Sequence, residues 1–255
     1  MKLRWDNISL LGKSAGLVVL LTVSISFVDK KYDAKTCTAI DISIDNEYKN
    51  YFINEKDVLR TITDDGQTKI IGMPFNDLNL DKIEDEIRKN HFVEDVEVYK
   101  ELNGSLSVNI YQSRPIARLV SNQMQDRYIS DKGKILPVSR RYTARVILID
   151  GPYANNPKLT NLYDSDTGTK LMELLAFIEN STFWKAQIAQ LHIDASGNIK
   201  MYQQVGKQVI DFGKPEMIES KFRKIQIFYE EILPTKGWNT YDRVSVKFKN
   251  QIVCE

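Results

Sequence analysis

The sequence has little of the chemistry from which metal centres and disulfide frameworks are built. Its 255 residues include only 2 cysteines and 2 histidines. Cys37 and Cys254 lie near opposite ends of the chain, and His91 and His192 are far apart in sequence. Because a structural zinc site needs several Cys or His ligands and a disulfide framework needs several cysteine pairs, both are excluded. We expect two free thiols and no metal.

An excess of charge of one sign is also missing. Lys and Arg number 35, Asp and Glu number 34, and the formal net charge is +1. This balance excludes the basic field that gathers nucleic acid or an anionic membrane surface. Glycine and proline are scarce, at 12 and 7 residues, and 42% of residues are hydrophobic. That composition excludes collagen-like, disordered and multi-span membrane proteins, and the length predicts one or two globular domains.

No group of residues has the pattern of an active site. His192 shares a predicted strand face with Asp194, but a histidine and an aspartate without a nucleophile meet often by chance. Residues 164–168 resemble the start of a calcium loop, yet the glycine comes one position early and Leu175 replaces the bidentate glutamate. We therefore predict that the protein is not an enzyme and that it has no cofactor, metal or small-molecule substrate.

One long hydrophobic run is present, over residues 8–28, with Lys13 as its single charge. It is long enough for a transmembrane helix, and Lys13 lies near enough to one end to reach the headgroups. A cleaved signal peptide is the alternative, but no small-residue cleavage site precedes the charged linker at 29–37. Basic residues are balanced on both sides, so charge leaves the orientation open. Because a short tail normally stays inside, we expect residues 1–7 in the cytoplasm and a large domain across the membrane.

The region after the linker predicts a small α+β module. Residues 40–44 alternate apolar and polar, which is typical of a half-buried strand. Two amphipathic helices are predicted over 54–62 and 80–90, the first with an asparagine cap and acidic residues in its first turn. Two alternating runs then flank Asn103-Gly104, the signature of a hairpin with a type I′ turn. The order is strand, helix, helix, strand, strand.

The rest of the chain predicts a mixed sheet with two flanking helices. The predicted strands are a hairpin over 128–138 and single strands over 145–150, 188–194, 199–203, 208–212 and 244–253. The predicted helices run through 171–178 and 218–232, and Pro234 and Gly237 end the second.

Two motifs around the first hairpin resemble a known family. Residues 90–98 enter the hairpin as Asn-His-Phe-Val-Glu-Asp-Val-Glu-Val, and residues 112–117 leave it as Gln-Ser-Arg-Pro-Ile-Ala. With the order of elements behind one N-terminal span, they resemble the FtsQ/DivIB family of bacterial cell-division proteins, although His91 stands where the family often has proline. The resemblance implies a POTRA-like domain over 38–114 and a β domain over 115–255. A boundary at Pro115 is physically reasonable, because proline lacks the N–H that continues a ladder.

The resemblance also implies a function. It implies a non-enzymatic, single-pass protein of the bacterial inner membrane, with its C-terminal domain in the periplasm and enriched at the septum. Its partners would be FtsB- and FtsL-type division proteins and, beyond them, septal peptidoglycan synthesis proteins. The family's partner-binding residues correspond here to Lys247 and Phe248, followed by Asn250 and Gln251. The alternative is a membrane-tethered periplasmic adaptor that uses a POTRA-like module in protein secretion or outer-membrane assembly.

Overall fold

The computed structural model describes residues 17–20, 22, 35–46 and 48–255. Residues 17–20 and 22 are helical, and the rest of the predicted membrane helix over 8–28 lies outside the described residues, as does the predicted cytoplasmic tail. Within the described ranges, no helix is both long enough and apolar enough to span a bilayer.

The chain divides into two compact units. The first contains the chain up to Asp45 together with Ile53–Gln112, and the second contains Asn46–Phe52 together with Ser113–Glu255. The short segment Asn46–Phe52 therefore belongs to the second unit, although unit-one residues lie on both sides of it in the sequence.

The first unit has the predicted order of elements. Its elements are β1 (Ala39–Ile44), α1 (Glu55–Ile62), α2 (Leu80–Arg88), β2 (Val93–Lys100) and β3 (Ser105–Gln112). The sheet order is β1-β3-β2, with β1 parallel and β2 antiparallel to β3. The two helices bury one stripe each against this sheet, which confirms the predicted α+β module.

Local sequence explains where these elements begin and turn. Asn54 caps α1 by accepting from the Asp57 N–H at 2.9 Å, while the Asp57 carboxylate accepts from the Asn54 N–H at 3.1 Å. The predicted hairpin is present, but the type I′ turn is wrong, because Gly104 has a φ of +97° while Asn103 does not have a positive φ. The loop is longer than a two-residue turn, and the Gly104 N–H closes it on the carbonyl of Glu101 at 3.0 Å.

The second unit is built on a nine-stranded mixed sheet. Its strands are β4 (Pro115–Leu119), β5 (Arg127–Ser130), β6 (Ile135–Pro137), β7 (Ile147–Asp150), β8 (Ile188–Ile193), β9 (Ile199–Gln203), β10 (Val209–Gly213), β11 (Arg243–Ser245) and β12 (Val253–Cys254). Their spatial order is β12-β11-β10-β9-β8-β7-β4-β5-β6.

Two long helices cover this sheet, as predicted, and two short ones were not predicted. The helices are α3 (Asp166–Glu179), α4 (Thr182–Gln187), α5 (Ile218–Ile227) and α6 (Leu233–Lys236). Leu175 on α3 and Phe222 on α5 belong to one buried core with Leu191 and Phe212 of the sheet. The rings of Phe212 and Phe222 lie 5.5 Å apart, so α5 packs directly on β10.

The helical segment that begins with α5 continues past Pro234, although the sequence predicted that Pro234 and Gly237 together end it. A π-helical turn over Phe228–Ile232 follows α5, and α6 then continues to Gly237, which has a φ of +101°. Proline has no N–H for the carbonyl of the preceding turn, and a wider turn before it accommodates that missing bond. Pro234 therefore lies inside the helical segment and only Gly237 terminates it.

The single strand predicted over 244–253 is also wrong. The chain forms two short strands, β11 and β12, which pair antiparallel and are joined by a turn through residues 246–252. Residues 247–251 read Lys-Phe-Lys-Asn-Gln, and their charged and amide side chains favour solvent and a turn over a buried strand. The sheet consequently ends at β12.

Candidate protein-binding surface

The end of the sheet at β11 and β12 combines an open strand edge with exposed side chains. Val244 on β11 and Val246 directly after it are fully buried, which anchors this end of the sheet in the core. The Val246 N–H donates to the carbonyl of Asp211 on β10 at 3.0 Å, and the Glu255 N–H donates to the carbonyl of Arg243 at 2.9 Å. Because an antiparallel ladder alternates, Glu255 faces β11 and the backbone N–H and C=O of Cys254 face away from it. These groups of Cys254 are positioned for an added strand.

The side chain of Lys247 is fixed at this edge by two neighbours. Its ammonium lies 2.8 Å from Asp211 Oδ2 and 5.3 Å from the centre of the Phe248 ring. Ser245 Oγ lies 3.4 Å from the same oxygen of Asp211. Gly213 makes room for this arrangement, since a Cβ there would lie 3.0 Å from Lys247 Cβ. Asp211 thus orients Lys247, and Lys247 covers one side of the Phe248 ring.

Helix α5 supports the loop that follows β11. The ammonium of Lys224 donates to the carbonyl of Val246 at 3.4 Å and also to the carbonyl of Phe248. These two carbonyls lie in the turn after β11, and one side chain of α5 supplies a hydrogen-bond donor to both. The loop has a defined shape as a result, with Phe248 on its outer side.

The predicted partner-binding residues lie together only in part. Lys247 and Phe248 are in contact, and Phe248 is 42% exposed, a high value for a large aromatic side chain. Asn250 and Gln251 are exposed farther along the same turn, on the way to β12. All four residues lie in the loop rather than on an edge strand.

Sequence reasoning missed several residues that shape this surface. Asp211 comes from β10 and Lys224 from α5, and Arg243 forms an ion pair with Glu255 that closes the β11–β12 hairpin. No local pattern connects these positions with Lys247, because the contacts form only when α5 packs on the sheet. The one available signal is the charge of Lys224, which lies beside the apolar stripe of a predicted amphipathic helix.

The side chains that resembled catalytic or calcium-binding groups in the sequence form hydrogen bonds that stabilise the fold. His192 Nδ1 lies 3.0 Å from Asp150 Oδ1 on the neighbouring strand, not beside Asp194. Asp194 instead closes a turn, and hydrogen bonds from Asn198, first from its side chain, lower the pKa of the Asp194 carboxyl. Ser165, in the calcium-like segment, caps α3 by accepting from the Gly168 N–H at 3.0 Å. In the part of the chain that the structure describes, no three metal-ligating side chains meet.

The two cysteines are free thiols within the described structure. Cys37 is fully buried in the first unit, and Cys254 is partly buried on β12. Burial raises the pKa of each thiol above the ordinary value of a cysteine, so both thiols favour the protonated form.

Comparison with family models agrees with this two-unit organisation. Residues 114–255 match the model described as FtsQ/DivIB, C-terminal related, and residues 35–111 match the model of a POTRA-like domain. Among curated proteins, none matches the chain.

Proposed function

Because the chain belongs to the FtsQ/DivIB family, a family of bacterial cell-division proteins, we propose that it is a non-enzymatic scaffold of the divisome. In this role it links FtsB- and FtsL-type proteins to septal peptidoglycan synthesis. The family is a non-catalytic, scaffold type, so contact with other proteins carries its function.

The observation that carries the proposal is the open edge of β12. Cys254 directs its N–H and C=O away from β11, so an extended segment of an FtsB-type partner can continue the sheet there. Strand addition supplies backbone hydrogen bonds, which give affinity for any extended chain. Specificity must come from side chains near the edge.

Lys247 and Phe248 are suited to provide that specificity. Phe248 offers an exposed aromatic surface, and aromatic anchors carry much of the binding energy in protein interfaces. Lys247 adds a positive charge whose position is fixed by Asp211 at 2.8 Å. Asn250 and Gln251 lie beyond Lys249 in the same loop and extend the surface with amide donors and acceptors.

We also propose that the protein is attached to the membrane. The hydrophobic run over 8–28 serves as a single transmembrane helix in the inner membrane, with residues 1–7 in the cytoplasm and the two units in the periplasm. This arrangement brings the β12 edge to the same side of the membrane as the peptidoglycan.

Depletion of the protein in its native cell, with a fluorescent protein fused to the N-terminal tail, tests this function. We expect a septal fluorescence band before depletion and filamentous cells after it. Uniform envelope fluorescence with normal division would contradict the proposal, and defective outer-membrane protein assembly in those cells would favour the adaptor function instead.

A further inference from the structure

The three-stranded sheet of the first unit has β2 as one of its edge strands. Since the sheet order is β1-β3-β2, β2 pairs with β3 on one side only among the residues that the structure describes. The Glu101 N–H donates to the carbonyl of Ser105, so the backbone of Glu101 faces β3. In an antiparallel pair every second residue faces the partner strand, and Val96 and Val98 therefore direct their N–H and C=O groups away from β3. An unprotected edge of this kind is a template for another strand.

Side chains of α2 occupy the backbone groups of this edge. Glu84 Oε1 accepts from the Val98 N–H at 2.9 Å, and Arg88 Nη2 donates to the carbonyl of Val96 at 3.1 Å. Asp95, on β2 itself, accepts from the Val96 N–H at 2.9 Å. An incoming strand would use the same donors and acceptor, so it cannot pair while these bonds are formed.

Glu84 and Arg88 also form an ion pair with each other. Arg88 Nη1 lies 3.1 Å from Glu84 Oε2, one helical turn away, and Arg88 Nη2 lies 3.5 Å from Asp95 Oδ1. The Glu84 side chain is only 21% exposed, which holds it against the edge. One connected set of bonds therefore covers the centre of β2.

We propose that Glu84 and Arg88 form a latch that keeps the β2 edge closed to an added strand. The latch is an autoinhibitory contact: its release exposes the Val96 carbonyl and the Val98 N–H together. The proposal is independent of the β12 surface, which lies in the other unit.

Charge identifies the kind of strand that an open edge would accept. Asp95 and Glu97 lie on the exposed face of β2, and displacement of Arg88 leaves Asp95 without its cation. An acidic strand, including the β2 of a second copy, would place like charges opposite each other. The occupant is therefore an extended basic segment with alternating apolar residues.

Hydrogen exchange on the full chain in detergent micelles tests the closed edge. In the Glu84→Ala/Arg88→Ala variant, we expect the Val98 amide to exchange about tenfold faster, because a hydrogen bond to a charged acceptor is lost. The matched control is Glu86→Ala/Lys89→Ala, which removes an ion pair of 2.7 Å between α2 and the residue that caps its C-terminus. The control should leave Val98 exchange unchanged.

A peptide of alternating Lys and Val, with blocked ends, tests the occupant. We expect it to bind the Glu84→Ala/Arg88→Ala variant at least tenfold more tightly than the unaltered chain, and a peptide of alternating Glu and Val to show no such gain. Glu84→Gln keeps an acceptor oxygen for Val98 and should stay closed, which separates the latch from general loss of folding. Unchanged exchange and unchanged peptide binding in the double variant would overturn the proposal.

Discussion

The ammonium of Lys224 on α5 donates to the carbonyl of Phe248 in the loop after β11. A helix residue thereby fixes a loop that comes more than one element later in the chain. The contact links the packing of α5 on the sheet to the exposed position of the Phe248 ring.

Substitution Lys224→Met should weaken binding of the FtsB-type partner while leaving the fold intact. Without the ammonium, the carbonyls of Val246 and Phe248 lose their donor and the loop has no fixed shape. We expect the partner's Kd to rise severalfold and the free energy of unfolding to fall by about 1.5 to 3 kcal/mol, which leaves the unit folded. Titration calorimetry and urea unfolding measure the two effects. Arg223→Met, at the adjacent exposed position, is the control, and an equal loss there would contradict the account.

Substitution Phe248→Ala should reduce partner affinity by tenfold or more, since aromatic anchors at interface centres contribute at least ~2 kcal/mol. The ring is 42% exposed, so its removal should shift the melting temperature little. Phe183→Ala is the matched control, because that ring is 55% exposed on α4. If both variants bind the partner as tightly as the unaltered protein, Phe248 is not part of the interface.

Tyr229 should make the second unit sensitive to alkali. Burial raises the pKa of its phenol from 10.0 to about 12, because the charged form is disfavoured inside the core. A pKa that is higher in the folded state stabilises the fold fully below pH 10, and this contribution is lost as the pH rises through about 12. We expect the free energy of unfolding to fall by about 2 to 3 kcal/mol across this range.

Urea unfolding at several pH values, with phenol ionisation followed by absorbance, measures this effect. The Tyr229→Phe variant lacks the titrating group and should lose much less stability between pH 10 and 12. An identical pH dependence in both proteins would contradict a raised pKa of Tyr229 in the folded state.

Local patterns in the sequence predicted most elements, because they depend on neighbours along the chain. The capped start of α1 and the alternation of β2 and β3 need only the residues around Asn54 and the hairpin. The strands at the edge of the second sheet were harder to predict from the sequence. Residues 244–253 contain enough apolar side chains for one strand, but Val244 and Val246 are the two that are fully buried, and the polar run after them forms a turn.

Only those residues of the candidate surface that are adjacent in the sequence could be predicted. Lys247 and Phe248 were identified through family resemblance, and they are adjacent in the chain. Asp211 and Lys224 are more than 20 residues away, and their contacts of 2.8 and 3.4 Å depend on how β10 and α5 pack. Tertiary packing, which no periodicity encodes, decides which charges meet at this edge.

The most direct test of the central claim is the affinity of the FtsB-type partner for the Cys254→Pro variant. The Cys254 N–H faces away from β11, so proline removes a donor to the partner and leaves the β11–β12 bonds in place. The first control, Cys254→Ala, changes the side chain but keeps the N–H. The second control, Val253→Pro, removes a hydrogen bond between β11 and β12 instead of a donor to the partner. We predict that Cys254→Pro folds normally and loses partner binding, while Cys254→Ala keeps it. Full partner affinity in a folded Cys254→Pro protein would contradict strand addition at β12.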